Sequence, residues 1–166
     1  MNVLLVRHAI AWDRDASRWP DDRRRPLTPK GKRSFRRAAR GLSRLVPKVD
    51  LVLSSRMIRA WETAKILQLE AGWPAPVACA ELESAPGLAL LRKLRAHPRA
   101  TQVVLVGHEP SLHELVSYLL AGRRGAAQFL IRKGGAVSLS VAAPVQPGAA
   151  SLTWLLQPRV LRRLGA

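Results

Sequence analysis

Two histidines sit where short apolar runs end. Residues 2–6, "NVLLV", lead into Arg7 and His8, and residues 103–106, "VVLV", lead into Gly107 and His108. A third run, "VDLVLSS" over 49–55, ends at Ser55 and is followed within one helical turn by Arg59. An unprotonated imidazole attacks through one ring nitrogen when the other is held as a donor. A guanidinium offers a rigid fork of donors matched to the oxygens of a phosphoryl group. Arginine beside histidine therefore combines a clamp for an oxyanion with a nucleophile, although a polar pair that merely closes a strand reads the same.

Positioning such groups requires elements that converge at one edge. The run 2–6 is a predicted strand, and residues 9–26 read as an irregular loop. From Thr28, a helix N-cap followed by Pro29, the residues Phe35, Ala38, Ala39, Leu42 and Leu45 recur at helical spacing, with arginines on the opposite face. Gly31 and Gly41 are expected to weaken that helix. A strand over 49–55, a helix over 57–71 stopped by Gly72 and Pro74, and a short strand at "PVACA" follow. A helix over Pro86–His97, a strand through 102–107 and a helix over Pro110–Ala121 come next. Two late runs, "GAVSLSVAA" and "ASLTWLLQ", form an antiparallel pair, and the Arg-rich C-terminus is a short helix or a frayed tail.

Strands alternating with helices define an α/β fold. The expectation is a single-domain layered sandwich over residues 1–166, with a mostly parallel central sheet, helices on both faces and the antiparallel pair at the C-terminal end. In such sheets ligands gather beyond the carboxyl ends of the strands, and His8, His108, Ser55 and Arg59 all fall there.

Composition narrows the function classes. The 166 residues carry 28 Lys plus Arg against 11 Asp plus Glu, a net charge of +17. Residues 1–60 alone hold 16 basic and 5 acidic side chains. Such a field attracts acidic or phosphorylated partners. Nucleic acid is a competing partner, because residues 23–44 could neutralise a phosphate backbone, but no nucleic-acid motif is present and aromatics are not interleaved with the cations. The single cysteine, Cys79, excludes an intramolecular disulfide and reads as a buried thiol. No apolar stretch reaches the length of a membrane span or a signal-peptide core, so a cytoplasmic protein is expected. The histidines lack metal-site spacing and no nucleotide fingerprint occurs, so no cofactor is expected. Trp61 fits the core face of its helix, whereas His97 and His113 read as ordinary surface or half-buried residues.

The segments "LLVRHA", "RPLTPKG", "SSRMIRAWETA" and "VVLVGHEPSL", in that order, resemble the histidine phosphatase superfamily, and the length and "RPLTPKG" resemble its phosphohistidine phosphatase (SixA-type) branch. The resemblance implies that His8 is a nucleophile forming a phosphohistidine intermediate, with Arg7, Arg59 and His108 binding the phosphoryl oxygens. It also implies a general acid after the third strand, for which "CAELES" offers Glu81 first and Glu83 beside it; Asp13 and Asp15 are weaker alternatives. Two positions depart from the family pattern. Ala9 replaces its glycine, so the turn must avoid positive φ, and Arg56 replaces a frequent proline and reads as surface charge. The implied substrate is a phosphorylated protein such as a phosphotransfer-type domain, because the chain lacks the long insertions that cover the site in relatives acting on small metabolites. A phosphatase of small phosphate esters and a basic binding module with lapsed catalysis are the alternatives.

Overall fold

The computed structural model describes residues 1–83 and 88–166. Six strands form one sheet in the order β3-β2-β4-β1-β5-β6. They are β1 (Asn2–Arg7), β2 (Leu51–Ser54), β3 (Val77–Ala78), β4 (Gln102–Gly107), β5 (Ala136–Val141) and β6 (Ala150–Leu156). The first four are mutually parallel, while β5 runs antiparallel to β1 and to β6. This is the expected α/β sheet with its antiparallel C-terminal pair.

The helices are α1 (Pro29–Leu45), α2 (Ile58–Ala71), α3 (Leu88–Arg95), α4 (Ser111–Ala121) and α5 (Pro158–Leu164). The expected start of α3 at Pro86 lies outside the described residues. Strand period divides each central strand between two cores. Leu4 and Val6 of β1, with Val104 and Val106 of β4, pack with α1, α2 and Leu161 of α5. Val3 and Leu5, with Val103 and Leu105, pack against α3, α4 and the loop residue Ile131. A strand buried on both faces must be apolar at every position, which is why these runs do not alternate with polar residues.

Thr28 caps α1, its hydroxyl accepting from the Gly31 N–H at 2.9 Å. The two glycines of α1 serve packing rather than merely weakening the helix. A Cβ at Gly31 would overlap the Ile10 carbonyl, and one at Gly41 the Leu161 carbonyl. Gly41 thus lets α5, the Arg-rich terminus, dock as an ordered helix on α1. The placement expected of Trp61 also changes. It lies half-buried with the Lys65 ammonium 6.0 Å from its ring centroid, and the enclosed tryptophan is Trp73, which donates to the Val46 carbonyl at 3.2 Å. Cys79 is buried as expected; burial, followed by its hydrogen bond to Glu81, pushes its thiol up to about 12. Among the described residues no helix is long and apolar enough to cross a membrane.

Candidate active site

Register places the two histidines. Arg7 of β1 stands opposite Gly107 of β4, so His8 and His108 leave adjacent parallel strands at the same level. The His8 N–H donates to the Gly107 carbonyl at 3.0 Å. The imidazole centroids are 5.2 Å apart, and the residues are only 6% and 7% exposed. Ser54 of β2 pairs with Val106, which brings Ser55 beside them; its hydroxyl lies 2.8 Å from His108 Nε2. Arg59, 5% exposed, enters from the first turn of α2. The site is built from the carboxyl ends of three neighbouring strands, as open parallel sheets favour.

Each side chain is held. His8 Nδ1 is 2.7 Å from the Ala9 carbonyl. A carbonyl only accepts, so Nδ1 carries the proton and Nε2 keeps its lone pair. The Ala9 N–H donates to Thr63 Oγ1 at 3.0 Å, and that hydroxyl donates to the Arg59 carbonyl at 2.7 Å, tying the turn to α2. No described residue other than glycine has positive φ, so Ala9 fits without strain. Arg7 donates to the Ile131 carbonyl at 2.6 Å. Arg59 donates to the Asp22 carbonyl at 2.7 Å and lies 3.1 Å from its carboxylate. Gly134 shares its N–H between the Arg7 and His8 carbonyls at 3.1 and 3.0 Å. Its φ of 80° suits glycine.

Electrostatics keeps both imidazoles neutral. Burial lowers His8 from 6.5 to about 3; the Ala9 hydrogen bond opposes this, while His108, Arg59 and Arg7 reinforce it. Burial likewise lowers His108 to about 4, with Arg59 adding to the effect and Glu83 and Asp22 opposing it. Burial also lowers Arg7 and Arg59, yet a guanidinium remains a cation at neutral pH.

Arg7, His8, Arg59 and His108 line one cleft of about 290 Å³, together with Trp12, Asp13, Arg14, Arg25, Glu109 and Lys133. The four residues expected to act together are therefore brought together. Glu81 is not among the lining residues: its carboxylate takes the Cys79 thiol at 3.2 Å. Glu83 is engaged by Arg23 at 2.5 Å and Arg56 at 2.8 Å. Asp15 is used by its own turn, accepting from Ser17. Asp13 does line the cleft, and so does Glu109, which sequence reasoning missed although it directly follows His108. Arg25 and Lys133 were also missed. Arg25 is buried, bonded to Asp22 and to the Trp12 carbonyl. Another groove, about 370 Å³, opens at the opposite end of the central strands between Met1, Leu94 and Val145, and contains none of the histidines.

The described residues contain no group of three or more metal-ligating side chains. A neutral buried imidazole with a free nitrogen, enclosed by guanidiniums, is arranged to receive a phosphoryl group rather than a cation. A family profile described as the histidine phosphatase superfamily (branch 1) matches residues 3–83. An uncharacterized protein of Picosynechococcus sp. is 34% identical over 151 residues, covering 88% of this chain and 89% of its own. The chain belongs to the histidine phosphatase superfamily. It is a phosphatase hydrolase of that superfamily, and solved structures bear out the fold. The protein histidine phosphatase SixA, solved with tungstate, superposes with a TM-score of 0.81 at 24% identity, covering 97% of this chain and 99% of its own. The alpha-ribazole phosphatase of Shigella flexneri gives 0.68 at 17% identity, covering 95% and 97%.

Proposed function

We propose that this phosphatase removes the phosphoryl group from phosphohistidine on a protein through a covalent intermediate on His8. The observation that carries the reading is the state of His8: its Nδ1 is committed to the Ala9 carbonyl, so Nε2 is a neutral nucleophile among cations. Nε2 attacks phosphorus and the bond to the substrate imidazole breaks, that ring leaving with a proton. Water then attacks the phosphoryl group, the bond to His8 breaks, and inorganic phosphate departs. Arg7 and Arg59 neutralise the oxygens, and His108 donates to one of them. Serving in-line transfer, such groups contribute mainly by position and charge.

The substrate class follows from leaving-group chemistry and space. A departing imidazole needs less acid assistance than an alkoxide, and of the acids expected after the third strand Glu81 is bonded to Cys79 and Glu83 is paired with Arg23 and Arg56. The cleft is at the small end of ligand pockets, so the bulk of the phosphorylated molecule stays outside it. A small phosphate ester is the second reading, favoured by the carboxylates of Asp13 and Glu109 in the cleft. The basic module with lapsed catalysis is disfavoured by the intact arrangement of Arg7, His8, Arg59 and His108.

The test offers the purified protein a phosphohistidine protein and an aryl phosphate, with rapid quenching. Phosphate release without added metal, an acid-labile phosphoenzyme, and loss of both in His8→Ala are expected. Turnover that survives in His8→Ala overturns the mechanism, and turnover of esters alone transfers the assignment to the second reading.

A further inference from the structure

Beside the active-site cleft lies a second cavity of about 400 Å³, lined by Arg18, Trp19, Pro20, Asp21, Arg24 and Ile58. Arg18 links the two. The Arg18 guanidinium sits 4.4 Å from the centroid of Trp12, which lines the cleft, and 5.3 Å from that of Trp19, which lines the cavity. Ile58, exposed, directly precedes Arg59. The surface running out of the phosphoryl site is thus partly apolar, and its lining sets two arginines, Arg18 and Arg24, against one carboxylate, Asp21.

Three of the four acids of this loop make contacts within the site and the loop, and the fourth, Asp13, lines the cleft. Asp15 accepts from Ser17 and Arg18 N–H groups, Asp21 caps the turn Asp22–Arg24 through the Arg23 N–H, and Asp22 pairs with Arg25 and Arg59. Arg18 and Arg24 are exposed, and neither guanidinium has a carboxylate within 4.0 Å among the described residues. Arg14 reaches Asp22 only at 3.9 Å with its side chain 83% exposed.

We propose that this face, Arg18, Trp19, Arg24 and Ile58, docks the acidic protein surface that carries the phosphoryl group, and so selects a protein substrate over a small one. The inference rests on the reading of a phosphohistidine protein substrate given above. Complementary charge raises the encounter rate and fixes orientation, and Trp19 with Ile58 supplies the apolar centre that charge alone lacks. Continuity with the cleft makes the occupant the molecule whose phosphoryl group is being removed, so docking places the reacting atom without enclosing the rest.

The test compares kcat/KM for two probes, an isolated acidic histidine phosphotransfer domain phosphorylated with phosphoramidate and the phosphoramidate ion itself. For Arg18→Glu combined with Arg24→Glu, the domain is expected to lose roughly tenfold or more, mainly in KM and more steeply at low ionic strength, while phosphoramidate changes less than about twofold. Arg24→Glu alone, which leaves the Arg18 stack intact, is expected to reproduce part of the loss. Equal loss for both probes, no loss for either, or tight binding of an oligonucleotide that the charge reversals abolish would each overturn the docking face. Failure of the unaltered phosphatase to act on the domain at all would overturn the substrate reading together with it. Normal action on the domain by the reversed variant would overturn the docking face alone.

Discussion

Acid should destabilise this fold through its two active-site histidines, by an amount that follows from their burial. His8 is lowered to about 3 and His108 to about 4, each from an ordinary 6.5. The unfolded chain therefore binds protons first, and stability present above the unfolded value is lost as the pH falls. At about pH 5 neither ring is protonated in the folded protein, while both are in the unfolded one; the linkage relation then gives a loss of about 2 kcal/mol per histidine relative to about pH 8. The figure depends only on both folded values lying well below 5, not on how far below. Together the two rings account for about 4 kcal/mol, which for a chain of this size lowers Tm by roughly 8–16 °C. Carboxylates contribute little in this window: side-chain hydrogen bonding from Arg25 lowers Asp22, and hydrogen bonds from the Gln102 and Thr101 N–H groups lower Asp50. The assay is urea or thermal unfolding at both pH values for the unaltered protein, His8→Asn and His108→Asn. Each substitution should remove about half of the pH-induced loss. An acid loss of unchanged size in both variants would refute the placement of these rings as buried neutral groups.

Ser55→Ala should lower kcat/KM about tenfold, the kinetic equivalent of one lost buried hydrogen bond, because Ser55 Oγ is the group 2.8 Å from His108 Nε2; steady-state kinetics with a melting curve checks it, and unchanged kinetics would remove Ser55 as a positioning residue. Gly41→Ala should destabilise despite alanine's advantage of about 1 kcal/mol in helices. The new methyl meets the Leu161 carbonyl and must separate α1 from α5 at a cost of roughly 1–3 kcal/mol. Denaturant unfolding reads the sign, and a rise in stability would show that α5 can shift freely.

The positions of His8, His108 and Ser55 were legible because each lies just past an apolar run that closes a strand, and Arg59 because it follows Ser55 within one helical turn. The sheet class followed from the same runs. Arg25 and Lys133 were not legible. Arg25 comes from an irregular loop and is fixed by Asp22 and the Trp12 carbonyl. Lys133 precedes the glycine pair 134–135 that hydrogen-bonds back to β1 across more than 120 residues. Neither long-range closure leaves a periodic trace. Glu109 was within reach, since the residue after a strand-end histidine shares its edge. Gly31 and Gly41 misled because helix propensity describes an isolated helix, whereas their missing Cβ atoms matter to Ile10 and to α5.

The cations of the cleft have two effects that can be separated. In the proposed reaction Arg7 and Arg59 hold the phosphoryl oxygens, and both also oppose protonation of His8. Removing Arg59 could thus appear to act by letting the nucleophile protonate. Burial, however, is the largest cause of the lowered His8 value, and His108 and Arg7 continue to act in the same direction. With a neutral side chain at position 59 the imidazole stays unprotonated at neutral pH. Any activity lost there must come from the oxygens it no longer holds, a loss that raising the pH cannot restore. Were the nucleophile's charge state the cause, activity would return as the pH rose.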